Sequence, residues 1–143
     1  MKILFAAGIY PPDIGGPATY VEKLAKELNQ PVISYSRKLK KYPKGLKHLL
    51  YFLCLLWLAK DKDVIYAQNV TSAGLPALFV AKILRKRLIL KVVGDAAWEQ
   101  KKPYLRKIQQ YVAKNAVKII VHSRYVKEMV ILWGVSAEKI TVI

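Results

Sequence analysis

A doubly wound, mostly parallel α/β sheet in a single domain is the fold this chain predicts. Six short apolar runs alternate with stretches whose apolar residues recur at three/four spacing, the pattern of successive βαβ units. The first such unit turns through Tyr10-Pro11-Pro12-Asp13-Ile14-Gly15-Gly16-Pro17, rich in the residues that punctuate strand and helix. The length of 143 residues, 54% of them apolar, suits one packed core.

Lys2-Ile3-Leu4-Phe5-Ala6-Ala7 has the length and composition of a first strand. Ala18, Val21, Leu24, Ala25 and Leu28 then mark one face of a helix. Pro17 fits its first turn, where a missing N–H costs nothing. Gly15 and Gly16, without a Cβ, allow unusual dihedrals and close approach of another group to the backbone. The free N–H groups and the dipole of a helix start make a seat for an anion such as phosphate. The plainer alternative is a turn that the glycines merely shape.

Gln30-Pro31 ends this helix, and residues 32–35 form a short second strand. A basic stretch with no acid follows: Arg37, Lys38, Lys40, Lys41, Lys44 and Lys47, broken by Pro43 and Gly45. It leads into a helix over 46–59, whose uncharged part, 49–59, falls well short of the roughly twenty residues that span a bilayer. That segment is apolar nearly all round, which predicts burial.

Residues 63–67 read as a third strand. Thr71 or Ser72 is placed to cap the next helix, 74–86, with Pro76 tolerated near its start. Residues 87–93 are a fourth strand ending at Gly94-Asp95, and a loop with Trp98 and Glu99 follows. Pro103 opens a helix with Leu105, Ile108 and Val112 on one face. Residues 118–121 form a fifth strand, Ser123 caps a helix over 124–133, Gly134 stands at its C-terminal cap, and 140–143 form a sixth strand. Ligands in such sheets bind beyond the carboxyl ends of the strands. The Gly15-Gly16 loop, Gln68-Asn69, Gly94-Asp95 and His122-Ser123 therefore belong to one rim.

With 25 Lys+Arg against 9 Asp+Glu, a formal charge of +16, the surface favours acidic partners: nucleic acid, anionic membrane or a phosphorylated substrate. The basic residues are spread over several segments and no nucleic-acid module is present, which speaks against nucleic acid. The lone Cys54 forms no internal disulfide and suits a reducing compartment. The apolar start is short and lacks a small-residue cleavage site, so no signal peptide is expected.

Several chemistries are excluded by pattern. No Gly-x-Gly-x-x-Gly follows the first strand, no Gly-Lys-Ser/Thr closes a glycine loop, and no Gly-x-Ser-x-Gly occurs. His48 and His122 lie far apart and Cys54 has no companion, so no metal is expected. The remaining rim carboxylate, Asp95, can act as a base, hold a hydroxyl or cap a turn. Glu99 reads as a solvated charge and His122 as a packed or partly exposed imidazole.

The opening from Met1-Lys2-Ile3-Leu4 through Pro11-Pro12-Asp13-Ile14-Gly15-Gly16 resembles that of the family-4 retaining glycosyltransferases. Asp63-Val64-Ile65-Tyr66-Ala67-Gln68-Asn69 is similar to their third-strand segment, and Val92-Val93-Gly94-Asp95-Ala96-Ala97-Trp98-Glu99 matches one branch of them. Ile119-Ile120-Val121-His122-Ser123, Gly134-Val135 and Lys139-Ile140-Thr141-Val142-Ile143 match the stretch before their interdomain crossover. The resemblance covers essentially the whole chain. It implies a two-domain GT-B architecture, of which residues 1–143 are the Rossmann-like, acceptor-side domain and the donor-binding C-terminal domain is absent.

The resemblance also implies roles. Gly15 and Gly16 would offer backbone N–H groups to a donor diphosphate, and Asp95 would stand near the reacting sugar, where many relatives carry histidine. The donor would be a nucleotide-diphosphate sugar, with no metal or other cofactor. The acceptor would be a glycan or lipid-linked, with Arg37, Lys38, Lys40, Lys41, Lys44 and Lys47 facing it or an anionic membrane. A donor-binding domain acting in trans is a further expected partner, and a cytoplasmic, membrane-peripheral location is expected. The connection between second and third strands is shorter than the family pattern, which puts one outer strand of that pattern in question. The usual Pro-Asn-Gly, the glutamate pair and the Arg/Lys pair that hold the donor are missing.

Overall fold

The computed structural model describes residues 1–8, 16–34, 41–93 and 102–143, with Lys44 described by its backbone alone. The chain runs β1 (Ile3–Ala7), α1 (Gly16–Leu28), β2 (Val32–Ser34), α2 (Lys44–Leu58), β3 (Val64–Gln68), α3 (Gly74–Leu84) and β4 (Arg87–Lys91). It continues through α4 (Tyr104–Asn115), β5 (Lys118–Val121), α5 (Arg124–Leu132), a 3-10 turn (Ala137–Lys139) and β6 (Ile140–Val142). Each expected strand and helix is present, with ends shifted by a few residues.

The strands form a six-stranded sheet in the order β2-β1-β3-β4-β5-β6, with every pair parallel. β1 is followed by a step to one side, and every later connection steps to the other. Right-handed crossovers then put α1 on one face and α2 to α5 on the opposite face. The packing agrees. Leu4, Ala6, Ile65, Ala67, Leu88, Leu90 and Ile119 share a core with Tyr51 and Leu55 of α2, Ala77 of α3, Val112 of α4 and Val126 of α5. Phe5, Ala7 and Tyr66 pack against Val21 and Ala25 of α1. The order in which strands are added reverses between β1 and β3, the switch point where open sheets of this order take ligands.

Turn chemistry explains most boundaries. Ser123 accepts the N–H of Val126 at 3.2 Å, the expected cap of α5. Gly134 has φ +93°, a backbone conformation that asks for glycine at this helix end. Gly74 lets α3 start tight against the sheet: an added Cβ would meet Asn69 O at 2.9 Å and Leu90 Cδ1 at 3.3 Å.

Two expectations need correction. Neither Thr71 nor Ser72 caps α3, which starts after Ala73 without a side-chain cap. Asn69 instead orders the turn before the helix: its Oδ1 accepts the Thr71 N–H at 3.0 Å and the Ser72 N–H at 3.4 Å, and its carbonyl accepts from Gly74. Asn69 has φ 95°, a conformation asparagine tolerates better than most side chains. The second correction concerns α2, which is not buried all round. Tyr51 and Leu55 are fully buried, whereas Leu46, Leu49, Leu53 and Trp57 form an outward stripe, with Trp57 70% exposed.

Candidate functional site: the rim at the β1/β3 switch point

The rim is assembled by register. Ala7, Gln68, Lys91, Ile120 and Thr141 are aligned across five strands and place their side chains on the α1 face. Gln68 donates through Nε2 to the carbonyl of Pro17, tying the end of β3 to the first turn of α1. Its Oε1 is buried and has no hydrogen-bond partner among the described residues. Gly8 N–H donates to the Gln68 carbonyl at 3.3 Å, and a Cβ at Gly8 would approach Ser72 Oγ to 2.9 Å. The backbone of β1 therefore lies close under the β3–α3 turn.

Gly16 is the first residue of α1, and Pro17 takes the first-turn position expected of it. Among the described residues, a Cβ at Gly16 would meet nothing within 4 Å. What Gly16 provides is open space over a helix start. Gly15 and Asp95 lie outside the described residues, as do Arg37, Lys38 and Lys40. Lys41 is exposed and Lys47 half-buried at the start of α2.

Sequence reasoning missed a group beside this helix start. Lys91, in β4, is 6% exposed, and its ammonium lies 4.8 Å from the centre of the Tyr20 ring in α1. The Tyr20 hydroxyl lies 3.3 Å from that of Tyr66. Burial holds the Lys91 ammonium below the usual lysine range, because desolvation disfavours its charged form. Burial, with the Tyr20 hydrogen bond, pushes the Tyr66 phenol upward. The signal was a lysine directly after the apolar run Leu88-Ile89-Leu90. His122 and Ser123 stand at the next strand end, with His122 exposed and Ser123 engaged as a cap.

On the other face, a cavity of about 730 Å³ opens between α2, α3 and α4. Leu49, Phe52, Leu75, Phe79 and Ile108 line it, with Thr71, Ser72 and Lys102 near the rim. On α3, Phe79 lines the cavity and is also exposed, and Ile83 beyond it is exposed like the stripe on α2. Among the described residues no helix is long and apolar enough to cross a membrane.

Strand order, switch-point rim and glycine-opened first helix define a Rossmann-like domain of the kind found as half of a GT-B fold. The model for Glycosyltransferase Family 4 matches residues 22–143, and the chain belongs to that family. It corresponds to the N-terminal half of the GT-B architecture. No curated protein matches the chain. Among solved structures it is similar to Anabaena Alr3699/HepE in complex with UDP-glucose, with TM-score 0.79 and 21% identity, covering 100% of this chain and 43% of that one. It is also similar to UDP-GlcNAc 2-epimerase from Methanocaldococcus jannaschii (TM-score 0.64, 17% identity), covering 99% of this chain and 45% of that one. The S. aureus MnaA–UDP structure gives 0.70 and 15%, covering 99% and 43%. The chain thus spans less than half the length of these proteins, and at these identities the likeness is one of fold.

Proposed function

We propose that the chain is the acceptor-side half of a retaining glycosyltransferase that moves a sugar from a nucleotide-diphosphate sugar to a lipid-linked or glycan acceptor. The observation that carries this reading is the open helix start at Gly16, set at the switch point of a family-4 sheet. Backbone N–H groups there, with the helix dipole, favour the diphosphate of a donor. Two of the similar structures hold UDP or UDP-glucose, which supports a nucleotide sugar as donor. Most donor contacts come from a second, donor-binding half, in the same chain or in trans. Asp95 stands near the reacting sugar and acceptor. The basic run from Arg37 to Lys47 and the apolar stripe beside it hold the domain at an anionic membrane surface, where a lipid-linked acceptor resides.

Sugar transfer from labelled nucleotide sugars to a membrane-lipid extract, by this domain combined with a donor-binding half, tests the reading. Asp95→Asn keeps shape and removes charge, and it lowers turnover with the thermal midpoint unchanged. Equal turnover in a normally folded Asp95→Asn returns Asp95 to a capping role.

A further inference from the structure

The cavity between α2, α3 and α4 has a direction. Each of these helices follows the carboxyl end of a strand, so each begins at the rim. The polar lining residues Thr71, Ser72 and Lys102 precede α3 and α4, and His48 lies in the first turns of α2. The apolar lining residues, among them Phe52, Phe79 and Ile108, lie one to two turns further from the rim. The slot is therefore polar at the mouth and apolar in depth. Its volume of about 730 Å³ falls in the range of small-molecule sites. Leu49 and Phe79 line it and are also exposed, so its side opens onto the outward stripe of Leu53, Trp57 and Ile83.

Resting on the acceptor-side reading above, we infer that this slot takes the hydrocarbon tail of an amphiphilic acceptor, with a phosphate-bearing head held at Thr71, Ser72 and Lys102. A sugar or a peptide backbone in the deep part would lose its hydrogen bonds to water without replacement. A hydrocarbon loses nothing there and is removed from water. An anionic head suits these surroundings: α2 and α3 contain no acidic residue, and Lys102 lines the mouth. The same charge, +16 on the whole chain, opposes covering this face with a second copy. A tail can pass from an anionic bilayer into the slot through its open side without crossing water.

Calorimetry of the purified chain with monomeric n-alkyl phosphates, from about six to about twelve carbons, tests the slot. Affinity rises roughly threefold to fourfold per methylene until the slot is full. Ile108→Trp fills the cavity and weakens the longest phosphate by roughly tenfold or more, with its circular dichroism unchanged. Should that variant not fold, Leu75→Phe serves the same purpose at a half-buried position. Trp57→Gln lies outside the lining, so it weakens vesicle binding and leaves alkyl-phosphate binding in place. Affinity independent of chain length, or equal in a folded cavity-filled variant, overturns the inference. Transfer by the two-domain form to a water-soluble glycan, with a flat chain-length series, would overturn the slot and leave the transferase reading standing.

Discussion

The hydroxyl of Tyr51, at the centre of α2, donates to the carbonyl of Ala7 across 3.3 Å. It also reaches the carbonyl of Ile33 at 3.4 Å, so one buried phenol ties the basic, apolar-striped helix to the ends of β1 and β2. Burial pushes this phenol above the usual tyrosine range. The helix that faces outward is thereby fixed to the strand that leads into the glycine turn.

Tyr51→Phe removes the donor and leaves the shape. It lowers stability by about 1 kcal/mol, or about 3 to 5 °C in thermal midpoint for a domain of this size. Urea denaturation measures it. No change would mean that the two carbonyls are fully satisfied by the strand ladders.

Lys91 supplies a pH dependence with a definite sign. Its folded-state pKa is depressed by burial, so between that value and the ordinary lysine range the unfolded chain holds more protons than the folded one. Stability then rises with pH through this window. Lys91→Met removes the cost of burying an ammonium and raises the thermal midpoint at neutral pH. The gap between variant and wild type narrows as the pH approaches the lysine range. A gap that is constant with pH would assign the effect to packing on Tyr20.

Much of the fold could be read from residue spacing, and the reasons are local. β1 and α1 differ in apolar period, and a serine ahead of Arg124 with a glycine after Trp133 marks both ends of α5. α2 was misread because nearly every position after His48 is apolar. Periodicity has no contrast there, and only the packed structure separates Tyr51 and Leu55 from Leu53 and Trp57. Asn69 was missed because two capping candidates, Thr71 and Ser72, stood nearer the helix, whereas the side chain that bonds these N–H groups lies before them. Among the described residues β2 and β6 are the two edges of the sheet. The slot joins residues of three helices far apart in the chain, which no single window reports.

Gly16 separates folding from function. Among the described residues nothing stands where a side chain at Gly16 would go, so Gly16→Val changes the unfolding free energy by less than about 1 kcal/mol. In the two-domain form it covers the helix start and lowers turnover roughly tenfold or more. Full activity in the folded variant would make the loop a plain turn.

Membrane association follows from charge. Each lysine near an anionic surface contributes about 1 kcal/mol, so the cluster holds the domain there reversibly. In sedimentation with vesicles the protein binds anionic and not neutral lipid, and salt releases it. Changing Lys38, Lys40, Lys41 and Lys44 to glutamine weakens the binding. Equal partitioning onto both kinds of vesicle, or none onto either, would reject surface docking.

Sugar transfer by the purified 143-residue chain, alone and with a donor-binding half, bears most directly on its role as one side of a transferase. One loop cannot orient a whole nucleotide sugar for reaction. The chain alone therefore binds donor no more tightly than about 1 mM and shows no turnover. The combined halves transfer sugar to a lipid-linked or glycan acceptor. Robust transfer by the isolated chain, or none from correctly folded combined halves offered the full range of donors and acceptors, would contradict the assignment.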